Sequence, residues 1–210
     1  MSPKVTEEHK EQRRRQILAA AERVFIRTGY EPATLKDIVE EAAMSRGWIY
    51  LYFQSKEDIF EALVEQFDHE ANRALEALLA QPLSVWEMLE AMLAGQKADL
   101  AGADTGLVPV FHEYFLTGWR DAERRPRLVQ RYAQGVARFV RLLQAGADRG
   151  EFAPALPLEL IAQIAASHIE GIMTHALALG AEQAAAAAQI DALTAYLRSL
   201  LNVQAAKNAE

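Results

Sequence analysis

The chain has 210 residues, with 22 Lys+Arg against 29 Asp+Glu, a net charge of -7, no Cys and 51% hydrophobic residues. Half the residues being apolar, it can bury a substantial core and is not a disordered polymer. The lack of cysteine excludes a disulfide scaffold, a thiolate zinc site, an iron–sulfur cluster and a cysteine nucleophile.

The chain opens MSPKVTEEHKEQRRR, which is charged from the start and has no signal-peptide core. No later apolar run approaches the roughly 20 residues that span a bilayer. Both features imply a cytoplasmic protein with no membrane partner. Residues 1–60 hold ten Lys/Arg and ten Asp/Glu, whereas the remainder holds 12 and 19. A polyanion can therefore be met only by the first part.

Helical periodicity dominates throughout. Residues 9–28 place Ile17, Leu18, Ala21, Val24 and Phe25 on one face, and Thr28-Gly29 ends that helix. Thr34 and Asp37 form an S/T-x-x-D start signal for a short second helix reaching about Ala43. After Met44, Ser45 caps a third helix of roughly two turns, Arg46 to Phe53. Ser55 and Asp58 repeat the start signal for a long fourth helix, which Gln81-Pro82 stops. Five more helices are predicted at about 84–101, 107–119, 122–148, 157–179 and 182–204, with a break at 102–106. No strand can be placed. The expected architecture is all-α, with about nine helices: a helix-turn-helix domain over 1–54 and a helical domain over 55–210.

Long, short, short, with a tight turn between the last two, is the arrangement of a DNA-binding helix-turn-helix. Ile49 and Phe53 lie one turn apart and can face a hub of Ile17, Phe25, Ile38 and Val39. Arg46, Gly47, Trp48 and Tyr50 then point outward. Arg46 can bridge guanine O6/N7 or hold a phosphate, and Gly47 lets backbone approach DNA closely. Trp48 and Tyr50 offer flat apolar surface to thymine methyls. Lys56 and Thr34, at two helix starts, are placed for phosphates.

Residues 13–67 resemble the DNA-binding domain of the TetR family of bacterial transcription regulators. The matching residues are Thr34, Ser45, Gly47, Ile49, Tyr50, Tyr52, Phe53, Ser55, Lys56, Glu57 and Ile59. The resemblance implies a homodimer on a palindromic double-stranded DNA operator, contacted by Thr34, Ser45, Arg46, Gly47, Trp48, Tyr50, Tyr52 and Lys56. One departure is Ala43, where the family usually has Gly; a left-handed Ala costs about 1 kcal/mol more.

The resemblance also implies a small hydrophobic or aromatic effector among the central helices. Trp86, Met92, Phe111, His112, Phe115, Trp119, Tyr132, Phe139, His168 and Met173 are the candidates, against the ordinary reading of such side chains as core. It implies dimerisation through the last two helices, for which Ile161, Ala165, Ile169, Ile172, Leu193, Leu197 and Leu200 are the candidates, against an intramolecular core. His168 and His175 are two turns apart, too far to share a metal, and no cofactor or metal is expected. No Gly-x-Ser-x-Gly turn or phosphate-cradling loop supports an enzyme. The expected function is a ligand-responsive regulator, a repressor released by its effector. The alternative is a helical protein–protein interaction module without sequence-specific DNA binding.

Overall fold

The computed structural model describes residues 7–102 and 105–204. Part of the expected 102–106 break lies outside the described residues. Among those described there are nine α-helices, one short 3-10 helix and no strand. The helices are α1 Glu7–Thr28, α2 Leu35–Glu41, α3 Arg46–Ile49, α4 Lys56–Leu79, α5 Val85–Ala101, α6 Val108–Thr117, α7 Arg124–Asp148, α8 Leu158–Leu179 and α9 Ala186–Leu201, with the 3-10 turn at Gly118–Arg120.

Their starts follow the sequence signals. Thr34 and Asp37 form a full capping box on α2, and Ser84 and Glu87 do the same on α5. At α4, Ser55 Oγ accepts from the Asp58 N–H at 3.1 Å, while Asp58 accepts from the Gln54 N–H at 3.0 Å. These bonds satisfy backbone donors that have no partner within the helix. α9 begins later than expected. A separate turn over 181–185 precedes it, closed by Ala185 at φ 49°. A left-handed residue there interrupts the helical path.

The chain divides into two compact units. The first ends at Ala71 and also takes in Thr105–Thr117, so it holds α1, α2, α3, most of α4 and α6. The second holds the end of α4, α5, the 3-10 turn and α7 to α9. The first unit thus joins α6, which begins 37 residues after Ala71, to the helices before it. Ring packing explains this. Phe60 on α4 lies 4.6 Å from Tyr114 and 5.4 Å from Phe111 on α6, and 5.1 Å from Phe25 on α1. Such offset and edge contacts each add to the stabilisation from buried area.

Glu113 on α6 fixes the α1–α2 loop. Its carboxylate accepts from the backbone N–H of Tyr30 at 2.8 Å and of Glu31 at 3.1 Å. Gly29 makes the approach possible. It sits at φ +83°, and a Cβ there would fall 2.9 Å from Glu113 Oε2. The backbone favours glycine, and a Cβ would push the Glu113 carboxylate away from the loop.

In the second unit α5 packs on α9, and α8 packs on α7 and α9. Met88, Leu89, Leu142, Leu143, Ile161, Leu197 and Leu201 form its buried centre. Arg149 donates to the carbonyls of Leu83 at 3.1 Å and Leu79 at 3.3 Å, satisfying acceptors at the α4 end. Glu151 accepts from the Val85 N–H at 2.6 Å.

The α2–α3 turn has the left-handed residue expected from its sequence. Ala43 has φ 52°, its N–H donates to Glu40 O at 3.1 Å, and the Met44 N–H donates to Val39 O at 3.3 Å. This is a Schellman end with alanine where glycine is favoured. Ala43→Gly is expected to stabilise the protein by about 1 kcal/mol, read as a higher denaturant midpoint at constant slope. Unchanged or lower stability would show that the turn does not carry this strain.

Candidate nucleic-acid interface

Thr34 is exposed, and its hydroxyl works in both directions: it donates to Asp37 Oδ2 at 2.6 Å and accepts from the Asp37 N–H at 3.2 Å. The hydroxyl bond, followed by the Thr34 backbone N–H, holds the Asp37 carboxyl below the usual range. On the neighbouring surface Glu41 accepts from Arg23 at 2.7 Å and Arg27 at 3.2 Å, which lowers its pKa in that order of importance. Two arginines of α1 thereby anchor the end of α2.

The reading turn is shorter than expected. α3 is a single α-helical turn, Arg46–Ile49, rather than two turns to Phe53. Beyond it the Leu51 N–H donates to Trp48 O at 3.2 Å and the Tyr52 N–H to Ile49 O at 2.9 Å. These i→i+3 bonds tighten the path, as at many helix ends. Ile49 and Phe53 still turn inward, at 0% and 5% exposure, and hold the turn on the hub. Ile17, Phe25 and Ile38 are fully buried there, and Val39 is half-buried.

The outward side carries Ser45, Arg46, Gly47, Trp48 and Tyr50, all exposed. Ser45 holds the N-cap position, yet its hydroxyl makes no cap bond. The Arg46 guanidinium donates to the Tyr50 hydroxyl at 3.2 Å and lies 5.7 Å from that ring's centre. This pre-orients a cation on the surface. A Cβ built at Gly47 meets no atom within 4 Å. Tyr52 is half-buried rather than exposed. Leu51 was not foreseen from sequence. At 73% exposure it is the most exposed large apolar side chain among the described residues. Its step of three from Trp48 is the only signal that could have pointed to it.

Lys56 corrects an expectation. Its ammonium donates to the carbonyls of Tyr30, Glu31 and Ala33, each at 2.9 Å, and sits 4.6 Å from the Tyr30 ring centre. An ammonium has three N–H donors. In this conformation all three hold the α1–α2 loop, and none is left for a phosphate.

A match to the family model described as bacterial regulatory proteins, tetR family, covers residues 17–63, and one to the tetracyclin repressor-like C-terminal domain covers residues 88–187. The chain is 42% identical over 201 residues to an uncharacterized HTH-type transcriptional regulator, YfiR, of Bacillus subtilis (strain 168), covering 96% of this chain and 98% of the relative. It belongs to the TetR family. The protein is a DNA-binding transcriptional regulator, and the family is not one of enzymes. Among solved TetR-type structures, Salmonella enterica GusR superposes with a TM-score of 0.70 at 25% identity, covering 95% of this chain and 99% of that one. SmeT, solved as a complex with triclosan, superposes with a TM-score of 0.72 at 19% identity, covering 90% of each chain, a likeness of fold. No helix of the described residues is long and apolar enough to cross a membrane.

The ten effector candidates are divided between the two units. Phe111, His112 and Phe115 belong to the first unit. Phe111 is committed to that unit's core, 5.4 Å from Phe60 and 5.3 Å from Phe67 between ring centres. Met92, Trp119, Tyr132 and His168 are exposed. His168 Nδ1 is 2.8 Å from Ile164 O, and Arg120 stacks 4.4 Å from the Trp119 ring centre. Trp86 and Met173 are buried in the second unit, with Phe139 packed against the same core. The Trp86 indole N–H is buried without a hydrogen-bond partner. A groove of about 270 Å³ between α5 and α9, lined by Glu90, Leu93, Ala94, Lys97, Ile190, Asp191 and Thr194, includes none of the ten.

Five of the seven dimer candidates are corrected. Ile161, Ala165, Ile172, Leu193 and Leu197 are 0–3% exposed within the single chain, and Ile169 and Leu200 pack against the same core. The five enclosed side chains offer no surface to another protomer, whereas Ile169 and Leu200 are half-buried and keep part of theirs. The outward faces of these helices carry Ser167, His168, Gly171, His175 and Ala178 on α8, and Ala188, Ala192, Ala195, Tyr196 and Ser199 on α9.

Proposed function

We propose that this TetR-family regulator is a cytoplasmic homodimeric repressor that reads a palindromic operator and is released by a small apolar effector. DNA reading belongs to residues 1–54, and effector binding and dimerisation to 55–210. One short reading turn buries too little to be specific, whereas two related by a twofold axis double the contacts. The pairing surface is the outward α8–α9 face, where Gly171, Ala178, Ala188, Ala192 and Ala195 permit close helix packing. Trp86, Phe139 and Met173 are the favoured effector contacts. An apolar molecule bearing a hydrogen-bond acceptor would satisfy the buried Trp86 N–H, which otherwise costs about 1–3 kcal/mol. SmeT's complex with triclosan supports a small aromatic ligand. Release requires that the effector prefer the conformation that does not fit the operator.

The observation that carries the DNA reading is Gly47. Nothing within 4 Å of its Cβ position calls for glycine, and glycine in a helix is less stable than alanine by up to about 1 kcal/mol. The fold bears that cost, and on the exposed reading turn the missing side chain leaves room for a DNA backbone to approach closely. Gly47→Ala is expected to raise stability by about 0.5–1 kcal/mol and to weaken operator binding about tenfold or more by fluorescence anisotropy. Wild-type binding should also fall steeply with salt as phosphate counterions are released. Undiminished affinity in the stabilised variant would reject a DNA backbone at Gly47.

A further inference from the structure

Two large apolar side chains stand exposed on the reading turn. Leu51 is 73% exposed and Trp48 45% exposed, one step of three apart, while their neighbours Ile49 and Phe53 supply the packing. At a place as exposed as that of Leu51 a polar residue would cost the fold little. Beside them lie Arg46 with its tethered Tyr50, and the open Gly47. In a major groove the polar edges of bases suit Arg46, but only one natural base presents an apolar group there: the C5 methyl of thymine.

We infer that Leu51 and Trp48 form an apolar reading face that selects thymine methyl groups in each operator half-site, with Arg46 reading or anchoring beside them. The inference rests on the operator-binding reading and adds the identity of the bases. It makes Leu51, which carries no hydrogen-bonding group, a specificity-determining residue.

The test uses the full-length protein and a synthetic duplex chosen by selection from random sequence, free of methylcytosine. Each thymine is replaced in turn by deoxyuridine, which removes only the methyl. Burying one methyl is worth about a fourfold change in affinity. At one or two positions per half-site, uridine should weaken binding about fourfold. Leu51→Ala, at an exposed position and so expected to fold, should bind thymine and uridine duplexes equally at one of those positions, and Trp48→Ala at the adjoining one. Both variants should keep the wild-type salt slope. If every uridine duplex binds like its parent while the parent binds with normal salt dependence, methyl reading is wrong and operator binding survives. If no duplex binds in a salt-dependent way, the operator reading itself fails and takes this inference with it.

Discussion

Phe60→Ala is expected to destabilise the protein by about 3–5 kcal/mol. Phe60 is fully buried, and its ring lies 5.1 Å from Phe25, 4.7 Å from Tyr30, 5.4 Å from Phe111 and 4.6 Å from Tyr114. Those four rings belong to α1, the α1–α2 loop and α6, so a single α4 side chain closes the first unit's core. Truncation leaves a cavity walled by rigid rings that cannot collapse into it, and the transfer and cavity terms add. Phe60→Leu keeps most of the volume and should cost about 1.5 kcal/mol or less. Chemical denaturation measures both. Operator affinity of the alanine variant should fall only in proportion to its unfolded fraction. A loss below about 1 kcal/mol for alanine would mean that the ring cluster is not the hub; domains as a whole are stable by only about 5–15 kcal/mol.

The second large effect separates two roles for one lysine. Lys56→Met is expected to cost about 2–3 kcal/mol of stability while leaving the salt slope of operator binding unchanged. The methionine keeps the apolar stem but deprives Tyr30, Glu31 and Ala33 of the donors that hold their carbonyls at 2.9 Å. Two of those bonds are partly buried, so water replaces the ammonium poorly. The loop they fix leads directly into Thr34 and the α2 cap, which sets the angle of the helix supporting the reading turn. Arginine is not an equivalent replacement, since its planar fork cannot converge on three carbonyls as an ammonium does. A phosphate role makes the opposite forecast: stability unchanged, and the salt slope reduced by about one. Denaturation and anisotropy at several salt concentrations distinguish the two.

Lys56 also illustrates how far residue types and spacing reach. Its place after Ser55 at a helix start was legible, and so was its suitability for an anion. Its actual partners are 23 to 26 residues away, in a loop whose path depends on Glu113, 83 residues further on from Tyr30. Leu51 is the converse case. Nothing in its chemistry announces exposure, and only the tightened turn after Ile49 turns it outward.

What the order of residues determined alone is what is settled within about four positions. The pairs Thr34/Asp37, Ser55/Asp58 and Ser84/Glu87 start three helices, Gly29 ends one, and Ala43 makes the left-handed turn, because each of these bonds closes within one helical turn. The family pattern over the first quarter of the chain adds the reading turn and its exposed Arg46, Gly47 and Trp48. Tertiary structure alone decided which of several apolar faces becomes interior. α8 carries apolar or small residues around most of its girth, so Ile161, Ala165 and Ile172 suit a partner subunit as well as their own core. Packing against α7 and α9 buried that side and left Gly171 and His175 outside. The same choice enlisted Phe111 and Tyr114 for the first unit's core. Apolar attraction has no direction of its own, so only the arrangement of distant helices fixes what it encloses.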